Sequence, residues 1–427
     1  MPILLGCIAD DFTGATDLAS MLVQRGMRTI QLIGIPDDDI DIGDAQALVV
    51  ALKSRTIGVQ DAVQQSLDAL AWLRRRGTRQ IMFKYCSTFD STDAGNIGQV
   101  TEALMAALDT DFTIACPALP QNGRTVYQGH LFVGDQLLSN SSMRRHPLTP
   151  MTDSNLVAVL QRQSQGKVGH LPFTTIDRGP DEIREAIQTL RRSGVRQVIG
   201  DALNDRHLIA LGHAAEDLQL ITGGSGIAMG LPDNFRDSGL LGHSKAADHL
   251  PRVEGHSVIL AGSCSTATLG QIQHFRESGR PHHRLDVRAL CRGRDEVDRA
   301  LGFAQSRLGA QPILISASAA AAEIAEIQRE FGREKAGILV EEAMAAIGKE
   351  LRNQGATRFV LAGGETSGAV VKALNVGALR IGPPIDPSVP WTTSLGRKPL
   401  ALALKSGNFG AVDFFTKAFE QLDKIPE

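Results

Sequence analysis

Short apolar runs alternate with longer amphipathic stretches along the first half of the chain, and this alternation limits the possible folds more than any other feature. The apolar runs predict buried strands, and the amphipathic stretches between them predict helices. The predicted strands of this half are 3–8, 29–33, 47–51, 80–84, 112–116 and 197–200. The predicted helices are 15–25, 62–76, 100–108 and 181–192. Strands that alternate with helices form a parallel sheet, and ligands of such a sheet bind at the carboxyl ends of its strands.

A second alternation of the same kind follows residue 255. Its predicted strands are 257–261, 312–316, 358–362 and 400–404, and its predicted helices are 268–276, 319–331, 337–354 and 367–374. The chain has 427 residues, more than the roughly 250 to 300 at which a single core stops growing. Turn-forming residues such as Pro232, Gly242 and Pro251 predict a linker between 231 and 255. We therefore predict two α/β domains with mainly parallel sheets, 1–240 and 250–427, with ligand sites at strand carboxyl ends and in the interdomain cleft.

The composition is typical of a globular protein that binds small molecules. A formal net charge of -3 gives no electrostatic reason to expect nucleic acid as a partner. The apolar start, residues 1–8, is too short to span a bilayer and lacks the basic flank of a signal peptide. The five cysteines are odd in number and form no C-x-x-C pair, which argues against a disulfide framework or structural zinc. We expect a cytoplasmic protein with no membrane partner, and these features are compatible with a homo-oligomer.

Acidic residues crowd the end of the first predicted strand. Asp10 and Asp11 are followed by Thr13 and, one helical turn later, by Asp17. Carboxylates at this position can accept hydrogen bonds from substrate hydroxyls, hold Mg²⁺, or take a proton from an attacking hydroxyl. Capping of the next helix is the alternative explanation, because Asp and Thr are ordinary N-caps. Two successive aspartates exceed what a cap needs.

Basic and polar residues follow other predicted strands at the same edge. Arg55 follows the strand 47–51, and Lys84 ends the strand 80–84, with Ser87 just beyond it. The fork of Arg and the compact charge of Lys both suit a carboxylate, so a small acid would match this mixture. Solvated charges that merely flank strands are the alternative. Two further residues, Asn122 and Arg124, follow the strand 112–116 and are weaker candidates for substrate contact.

Glycine-bearing turns follow three predicted strands of the second half. They are 262–265, which contains Ser263, then 363–368, and 405–410, which contains Gly407. Glycines let the backbone approach an anion, and a helix that begins at such a turn directs its N–H groups at phosphate. Three such turns in one domain predict a nucleotide site.

Several other sites are excluded by their missing motifs. The chain has no Walker A pattern, no G-x-S-x-G elbow and no H-E-x-x-H pair. Gly224, Gly226 and Gly230 come near a dinucleotide fingerprint, but Met229 occupies the place of its third glycine. We therefore discount NAD. The adjacent histidines 282–283 are interpreted as part of a solvated loop.

The chain resembles the four-carbon acid sugar kinase family over nearly its whole length. The resemblance rests on the segments 9–15, near the start, and 363–368, near the end. Three further segments, 84–92, 122–127 and 147–155, resemble the branch of the family that acts on 3-oxo-tetronates. Relatives that act on threonate or erythronate tend to carry Lys-x-Asp-Ser-Thr, where this chain has Lys-Tyr-Cys-Ser-Thr. This departure favours the oxo-acid branch.

The resemblance implies an acid-binding N-terminal domain, a nucleotide-binding C-terminal domain, and transfer of the ATP γ-phosphoryl group to the substrate 4-hydroxyl with Mg²⁺. The implied nucleotide contacts are Ser263, Gly363, Gly364, Glu365, Thr366 and Gly407. The candidates for the acid site are Asp10, Asp11, Thr13, Arg55, Lys84, Ser87, Asn122 and Arg124. In this hypothesis Asp10 or Asp11 is the catalytic base, and Arg55 and Lys84 hold the substrate carboxylate. The metal ligands stay open.

The sequence leaves three alternatives open. The chain could be a threonate or erythronate kinase of the same family. It could be a lyase or aldolase that uses Lys84 or Lys53 as a Schiff-base amine, because a buried lysine can be tuned toward neutrality. A sensor that binds a sugar acid without catalysis would leave the three glycine turns unexplained.

Overall fold

Two α/β units make up the chain in a computed structural model that describes residues 3–146, 148–242 and 246–424. Unit 1 is residues 1–248 and unit 2 is residues 249–427, so the boundary falls inside the segment predicted as a linker. The predicted fold class, α/β with mainly parallel sheets, is confirmed. The linker segment is not all irregular, because residues Leu231–Asp237 form a helix. Pro232 lies in its first turn, where proline is tolerated.

Unit 1 contains eleven strands and eight helices among its described residues. The strands are β1 (Leu5–Ala9), β2 (Thr29–Ile33), β3 (Ala47–Ala51), β4 (Gln80–Lys84), β5 (Thr113–Cys116), β6 (Arg124–Tyr127), β7 (His130–Val133), β8 (Gln136–Leu137), β9 (Lys167–Leu171), β10 (Val195–Gly200) and β11 (Leu220–Gly223). The helices are α1 (Phe12–Gln24), α2 (Val59–Arg75), α3 (Ile97–Ala107), α4 (Leu156–Gln163), α5 (Phe173–Ile176), α6 (Pro180–Arg192), α7 (Asp205–Ala214) and α8 (Leu231–Asp237).

The main sheet of unit 1 is parallel, with the strand order β2-β3-β1-β4-β11-β5-β10-β9. Its central strands are buried on both faces, as their continuous apolar sequences require. In the register of the sheet Ala9 lies beside Ala51 on one side and Lys84 on the other. The residues that follow β1 and β3 therefore meet the end of β4 at one edge.

A small antiparallel sheet, β6-β7-β8, was not predicted. Its first two strands are joined by Gln128 and Gly129, both of which have positive φ (49° and 72°). Two such residues form the tight turn whose twist suits a hairpin. These strands are short and partly polar, so their sequence lacks the apolar run that marks the main sheet.

Unit 2 contains seven strands and seven helices among its described residues. The strands are β12 (His256–Ala261), β13 (His282–Arg284), β14 (Ile313–Ser316), β15 (Ala356–Ala362), β16 (Ala378–Asp386), β17 (Val389–Ser394) and β18 (Ala401–Lys405). The helices are α9 (Thr266–Glu277), α10 (Val287–Cys291), α11 (Glu296–Gln305), α12 (Ala321–Phe331), α13 (Arg333–Asn353), α14 (Gly364–Ala373) and α15 (Phe414–Leu422).

The sheet of unit 2 has five parallel strands, β13-β14-β12-β15-β18, continued by the antiparallel strands β17 and β16. Trp391 on β17 is buried and donates a hydrogen bond from Nε1 to the Ala418 carbonyl of α15 (2.8 Å). The interpretation of 282–283 as a solvated loop is wrong. His282 begins the edge strand β13, and its Nε2 shares a hydrogen bond with Ser316 Oγ (2.8 Å).

The glycine-rich run 223–230 has a packing role. A Cβ atom on Gly224 would lie 2.6 Å from the Pro117 carbonyl oxygen, and one on Gly230 would lie 2.3 Å from that of Ile209. Both distances are shorter than any normal contact, so only glycine allows these backbones to approach so closely. This packing explains the run without a dinucleotide.

Candidate active site

Asp10, which is buried, and Arg55, which is partly buried, form a bidentate pair at the carboxyl edge of the sheet of unit 1. The guanidinium donates from Nε to Asp10 Oδ2 (2.8 Å) and from Nη2 to Asp10 Oδ1 (2.7 Å). The backbone fixes both partners, because the Asp10 carbonyl accepts from the N–H groups of Ser54 (3.0 Å) and Arg55 (3.2 Å). The Asp10 N–H in turn donates to the Lys84 carbonyl (3.0 Å), which ties the ends of β1 and β4 together.

Asp11 caps helix α1. Its carboxylate accepts from the Gly14 N–H (2.9 Å), from Thr13 Oγ1 (2.9 Å) and from Arg55 Nη2 (2.7 Å). A Cβ atom on Gly14 would lie 2.2 Å from Asp11 Oδ1, so this cap needs glycine at that position. The capping explanation is therefore correct for Asp11, and Thr13 serves the same cap.

The two neighbouring aspartates have opposite electrostatic settings. Burial raises the pKa of Asp10 and outweighs the opposing charge of Arg55. Burial also works to raise the pKa of Asp11, but there the charges of Arg55 and Lys84 and the hydrogen bonds of the cap outweigh it, so the net shift is downward. Asp10 is consequently the stronger base of the two.

Lys84 completes this group of charges. Its side chain is buried, and Nζ donates to the Tyr85 carbonyl (3.0 Å). Its charge lowers the pKa of both Asp10 and Asp11. The strand register thus brings Asp10, Asp11, Arg55 and Lys84 together.

The other predicted acid-site residues are placed on loops and on the small sheet. Ser87 is partly buried in the turn after β4. Asn122 ends a 3-10 turn, and Arg124 begins β6 and donates from Nη1 to the Asn122 carbonyl (2.5 Å). This hydrogen bond fastens Arg124 to its own turn. Roles for these three residues in substrate binding stay predictions.

Three strand ends bring the predicted nucleotide loops together in unit 2. The N–H of Ser263 donates to the Ala362 carbonyl (3.1 Å), and the N–H of Gly363 donates to the Lys405 carbonyl (2.8 Å). A Cβ atom on Gly363 would lie 3.0 Å from the Ser263 nitrogen, and one on Gly407 would lie 2.4 Å from Ser263 Oγ. Ser263, Gly363 and Gly407 are therefore in close contact, as adjacent strands β12, β15 and β18 require.

The remaining predicted nucleotide residues begin helix α14. Gly364 and Glu365 are exposed in its first turn, and Thr366 is buried. Gly363 precedes the helix with φ of 120°, a conformation that favours glycine. The turn therefore directs the start of α14 toward the loop 262–265, an arrangement that suits phosphate oxygens.

A cavity of about 310 Å³ borders these loops. Loop residues Gly262, Cys264, Glu365 and Thr366 form one part of its wall. The remaining wall is mainly apolar and comes from α10, α12 and α13, with side chains that include Val287, Ile324, Ile327 and Val340. A polar rim beside an apolar wall fits a phosphate chain beside a nucleobase.

Lys405 was not recognised from the sequence as a member of this site. Its side chain is fully buried at the end of β18 and touches the loop that contains Gly407. A lysine that ends an otherwise apolar strand was the signal that could have identified it.

Comparison with protein families agrees with this division. A model for a sugar-binding N-terminal domain matches residues 5–231, and a model for a nucleotide-binding C-terminal domain matches residues 258–415. Together with the acidic site and the phosphate loops, these matches define the class as a sugar kinase.

Similar proteins identify the family within the class of sugar kinases. A protein of Cupriavidus necator named 3-oxo-tetronate kinase is 59% identical over 421 residues, which are 98% of this chain and 97% of that protein. Another of the same name from Salmonella typhimurium is 46% identical over 97% of this chain and 98% of that protein. The chain belongs to the four-carbon acid sugar kinase family and is an ATP-dependent kinase.

Solved structures share the fold. A crystal structure from Salmonella typhimurium LT2 superposes with a TM-score of 0.88 at 45% identity and covers 98% of this chain and 99% of that one. One of Haemophilus influenzae protein HI1011 gives a TM-score of 0.79 at 40% identity, with 98% and 100% covered. Within the described ranges, none of the helices has the length and apolar character that crossing a membrane demands.

Proposed function

We propose that the protein phosphorylates the 4-hydroxyl of a 3-oxo-tetronate with ATP. The observation that carries this proposal is the group of Asp10, Asp11, Arg55 and Lys84 at one sheet edge, of which Asp10 and Lys84 are buried, in a chain 59% identical to a 3-oxo-tetronate kinase. Paired acids and bases of this kind suit a small molecule with both a carboxylate and hydroxyls.

Asp10 is the proposed base that receives the proton of the attacking hydroxyl. Its raised pKa makes it a better proton acceptor than Asp11, which is occupied as a helix cap. Arg55 spends Nε and Nη2 on the two aspartates, and no described residue accepts from its Nη1. That nitrogen, together with Lys84, is proposed to hold the substrate carboxylate.

ATP is assigned to unit 2. The proposed contacts to its phosphates come from the turns that contain Ser263, Gly363 and Gly407, and from the start of α14. The apolar wall of the adjoining cavity is proposed to take the adenine base. Phosphoryl transfer needs little beyond positioning, charge neutralisation and a proton acceptor. The contacts in unit 2 are proposed to position ATP, and Asp10 is the proposed proton acceptor.

Mg²⁺ is proposed to arrive with ATP. Among the residues that the structure describes, no group of three His, Cys, Asp or Glu side chains is arranged to hold a metal. This fits Mg²⁺, which usually binds one or two carboxylates plus substrate phosphates and water. Glu365 borders the nucleotide cavity and is the proposed protein ligand. Mg²⁺ would neutralise charge on the transferred phosphoryl group.

An ADP-release assay against a panel of four-carbon acids tests the proposal. The panel contains 3-oxo-tetronates, threonate and erythronate, each with and without ATP. We expect turnover with a 3-oxo-tetronate. If only threonate or erythronate gives turnover, the substrate assignment is wrong, and if no acid stimulates ADP release, a sensor is the better interpretation.

Borohydride trapping tests the lyase alternative. Lys84 is buried, and its Nζ donates a hydrogen bond to the Tyr85 carbonyl (3.0 Å), whereas a Schiff-base amine must be free to attack the substrate carbonyl. Lys53 is exposed. We therefore expect no covalent adduct of the acid after reduction, and an adduct on Lys84 would contradict the kinase assignment.

A cytoplasmic location is also proposed, because all five cysteines are free. A homo-oligomer stays a prediction, which light scattering on the purified chain would decide.

A further inference from the structure

Lys405 is buried with only uncharged partners. Its Nζ lies 3.0 Å from Thr268 Oγ1, 3.1 Å from the carbonyl oxygens of Ser406 and Gly407, and 3.2 Å from that of Phe409. Among the described residues no carboxylate pairs with it. A buried ammonium without a counter-charge is costly, and burial lowers the pKa of Lys405 to about 7.

These contacts set the direction of the backbone in the loop 406–410. In a trans peptide the carbonyl and the following N–H point in opposite directions. Because the three carbonyls point at Nζ, the N–H groups of Gly407, Asn408 and Gly410 point away from it. Within the described chain none of these three N–H groups donates a hydrogen bond. Successive outward N–H groups form a concave surface that binds anions.

Helix α9 holds the same loop from a second side. The Gly407 carbonyl accepts from Ser265 Oγ (2.5 Å) and Thr268 Oγ1 (3.0 Å) as well as from Lys405 Nζ. Gln271 Nε2 donates to the carbonyls of residues 409–411. The carbonyls of the loop are thus turned inward by several independent donors.

Within the described residues, no charged side chain of the elements packed against Lys405 bonds to its amine or shifts its pKa. On β15 its neighbour in the register is Ala362, and Arg358 lies at the opposite end of that strand. Strand β17 carries no titratable residue. Cys264, before α9, and Glu365, on α14, are titratable groups of the neighbouring loops, and neither shifts the pKa of Lys405, which burial alone lowers.

We propose that Lys405 is a positioning residue that holds the loop 406–410 in its anion-binding form, and that its amine takes up one proton when a nucleotide phosphate binds there. The proposal rests on the assignment of ATP to unit 2. The step is a protonation: the lone pair of neutral Nζ accepts a proton from the buffer, and no bond to phosphorus forms. A bound anion favours this charged form.

Calorimetric titration of the full chain with MgADP at pH 8 measures the proton directly. The binding enthalpy is compared between buffers of different ionisation enthalpy, and its slope gives the number of protons taken up. With a pKa of about 7 the free amine is roughly 10% protonated at pH 8, so uptake approaches about 0.9 proton. The terminal phosphate of ADP ionises near pH 6 and contributes little at pH 8.

The dissociation constant of MgADP is expected to rise by up to about tenfold per pH unit above pH 7. Two variants test whether Lys405 is the group that takes up the proton. Lys405→Arg keeps a permanent charge, so its uptake should fall to near zero and its affinity should lose the pH dependence. Lys405→Met should also take up no proton and should bind MgADP more weakly.

The outcomes separate the two proposals. Tight MgADP binding by the unmodified chain with less than about 0.2 proton taken up would overturn the role of Lys405 and leave the kinase assignment intact. Equal uptake in Lys405→Arg would overturn it as well. If MgADP fails to bind the unmodified chain, both proposals fail. The titration of the unmodified chain decides the matter even where a variant does not fold.

Discussion

Asp10 and Asp11 show how one residue step changes the chemistry of a carboxylate. Both accept from Arg55, but only Asp11 also accepts from the Gly14 N–H and from Thr13 Oγ1 at the start of α1. Those donors stabilise its charged form, whereas Asp10 is buried without them and its pKa is raised. A general base must accept a proton, and donors that stabilise the charged carboxylate make it a weaker acceptor. The cap therefore works against Asp11 in that role.

Substitution of the two aspartates should separate base from cap. Asp10→Asn is expected to lower kcat by about 10² to 10⁴-fold, the usual contribution of a general base. Asp11→Asn should cost much less, because asparagine is also a good N-cap. Steady-state turnover with saturating ATP and acid measures both, and melting temperatures of the two variants serve as the control for folding. Equal losses of kcat in the two variants would contradict the assignment of Asp10 as the base and Asp11 as the cap.

His282 should make the fold sensitive to acid. Burial, aided by the charge of Arg276, lowers its pKa to about 4, while in the unfolded chain it is near 6.5. The unfolded state therefore binds more protons between these values, so stability is complete above pH 6.5 and is lost as the pH falls toward 4.

Denaturant unfolding at several pH values measures this effect. The variant His282→Gln should show a smaller loss of stability between pH 6.5 and 4 than the unmodified chain. His249→Gln is the matched control, because that histidine is exposed. An unchanged pH profile in His282→Gln would contradict the assignment.

At the level of elements, the phosphate loops depend on close contact between strand ends. A Cβ atom on Gly407 would lie 2.4 Å from Ser263 Oγ and 3.2 Å from Ser265 Oγ. Gly407→Ala should therefore displace the loop and raise the KM for ATP by about tenfold, or about 1.4 kcal/mol, with little change in the KM for the acid. Gly270→Ala is the control, since no atom lies within 4 Å of its Cβ position. A rise in both KM values would indicate general damage.

The sequence predicted ten of the eighteen strands among the described residues, those whose apolar runs coincide with buried parallel strands. It missed β16 and β17, whose prolines at 383, 384 and 390 are unusual in strands. It also assigned the three glycine turns to one nucleotide site, but it did not predict which of their residues touch. Ser263 and Gly407 meet because β15 lies between β12 and β18, and strand order is a tertiary property that local pattern does not contain.

The acid site shows the same division between local and tertiary information. The positions of Asp10, Arg55 and Lys84 at strand ends followed from the pattern of the sequence. The bidentate contact between Asp10 and Arg55 did not, because it depends on the register of β1 against β3. Arg55 was predicted to hold the substrate carboxylate, but its Nε and Nη2 donate to aspartates.

For the whole molecule, the assignment of one ligand to each unit predicts that binding of one ligand can be lost while binding of the other is kept. A ligand that binds only the native state stabilises it by RT ln(1 + [L]/Kd), which is about 2.7 kcal/mol at one hundred times Kd. The acid and MgADP should therefore each raise the melting temperature when added alone.

Two variants should reverse these effects in opposite ways. Lys84→Met removes a proposed carboxylate contact, so protection by the acid should disappear while protection by MgADP stays. Gly407→Ala should instead cut protection by MgADP to about half, from about 2.7 to about 1.4 kcal/mol at the same concentration, while protection by the acid stays. Differential scanning calorimetry, with the acid of highest turnover as the probe, measures all four combinations. One result would contradict the proposal of separate sites: a variant that is stabilised by neither the acid nor MgADP while its own melting temperature is unchanged. A change confined to one unit would then prevent the binding of both ligands.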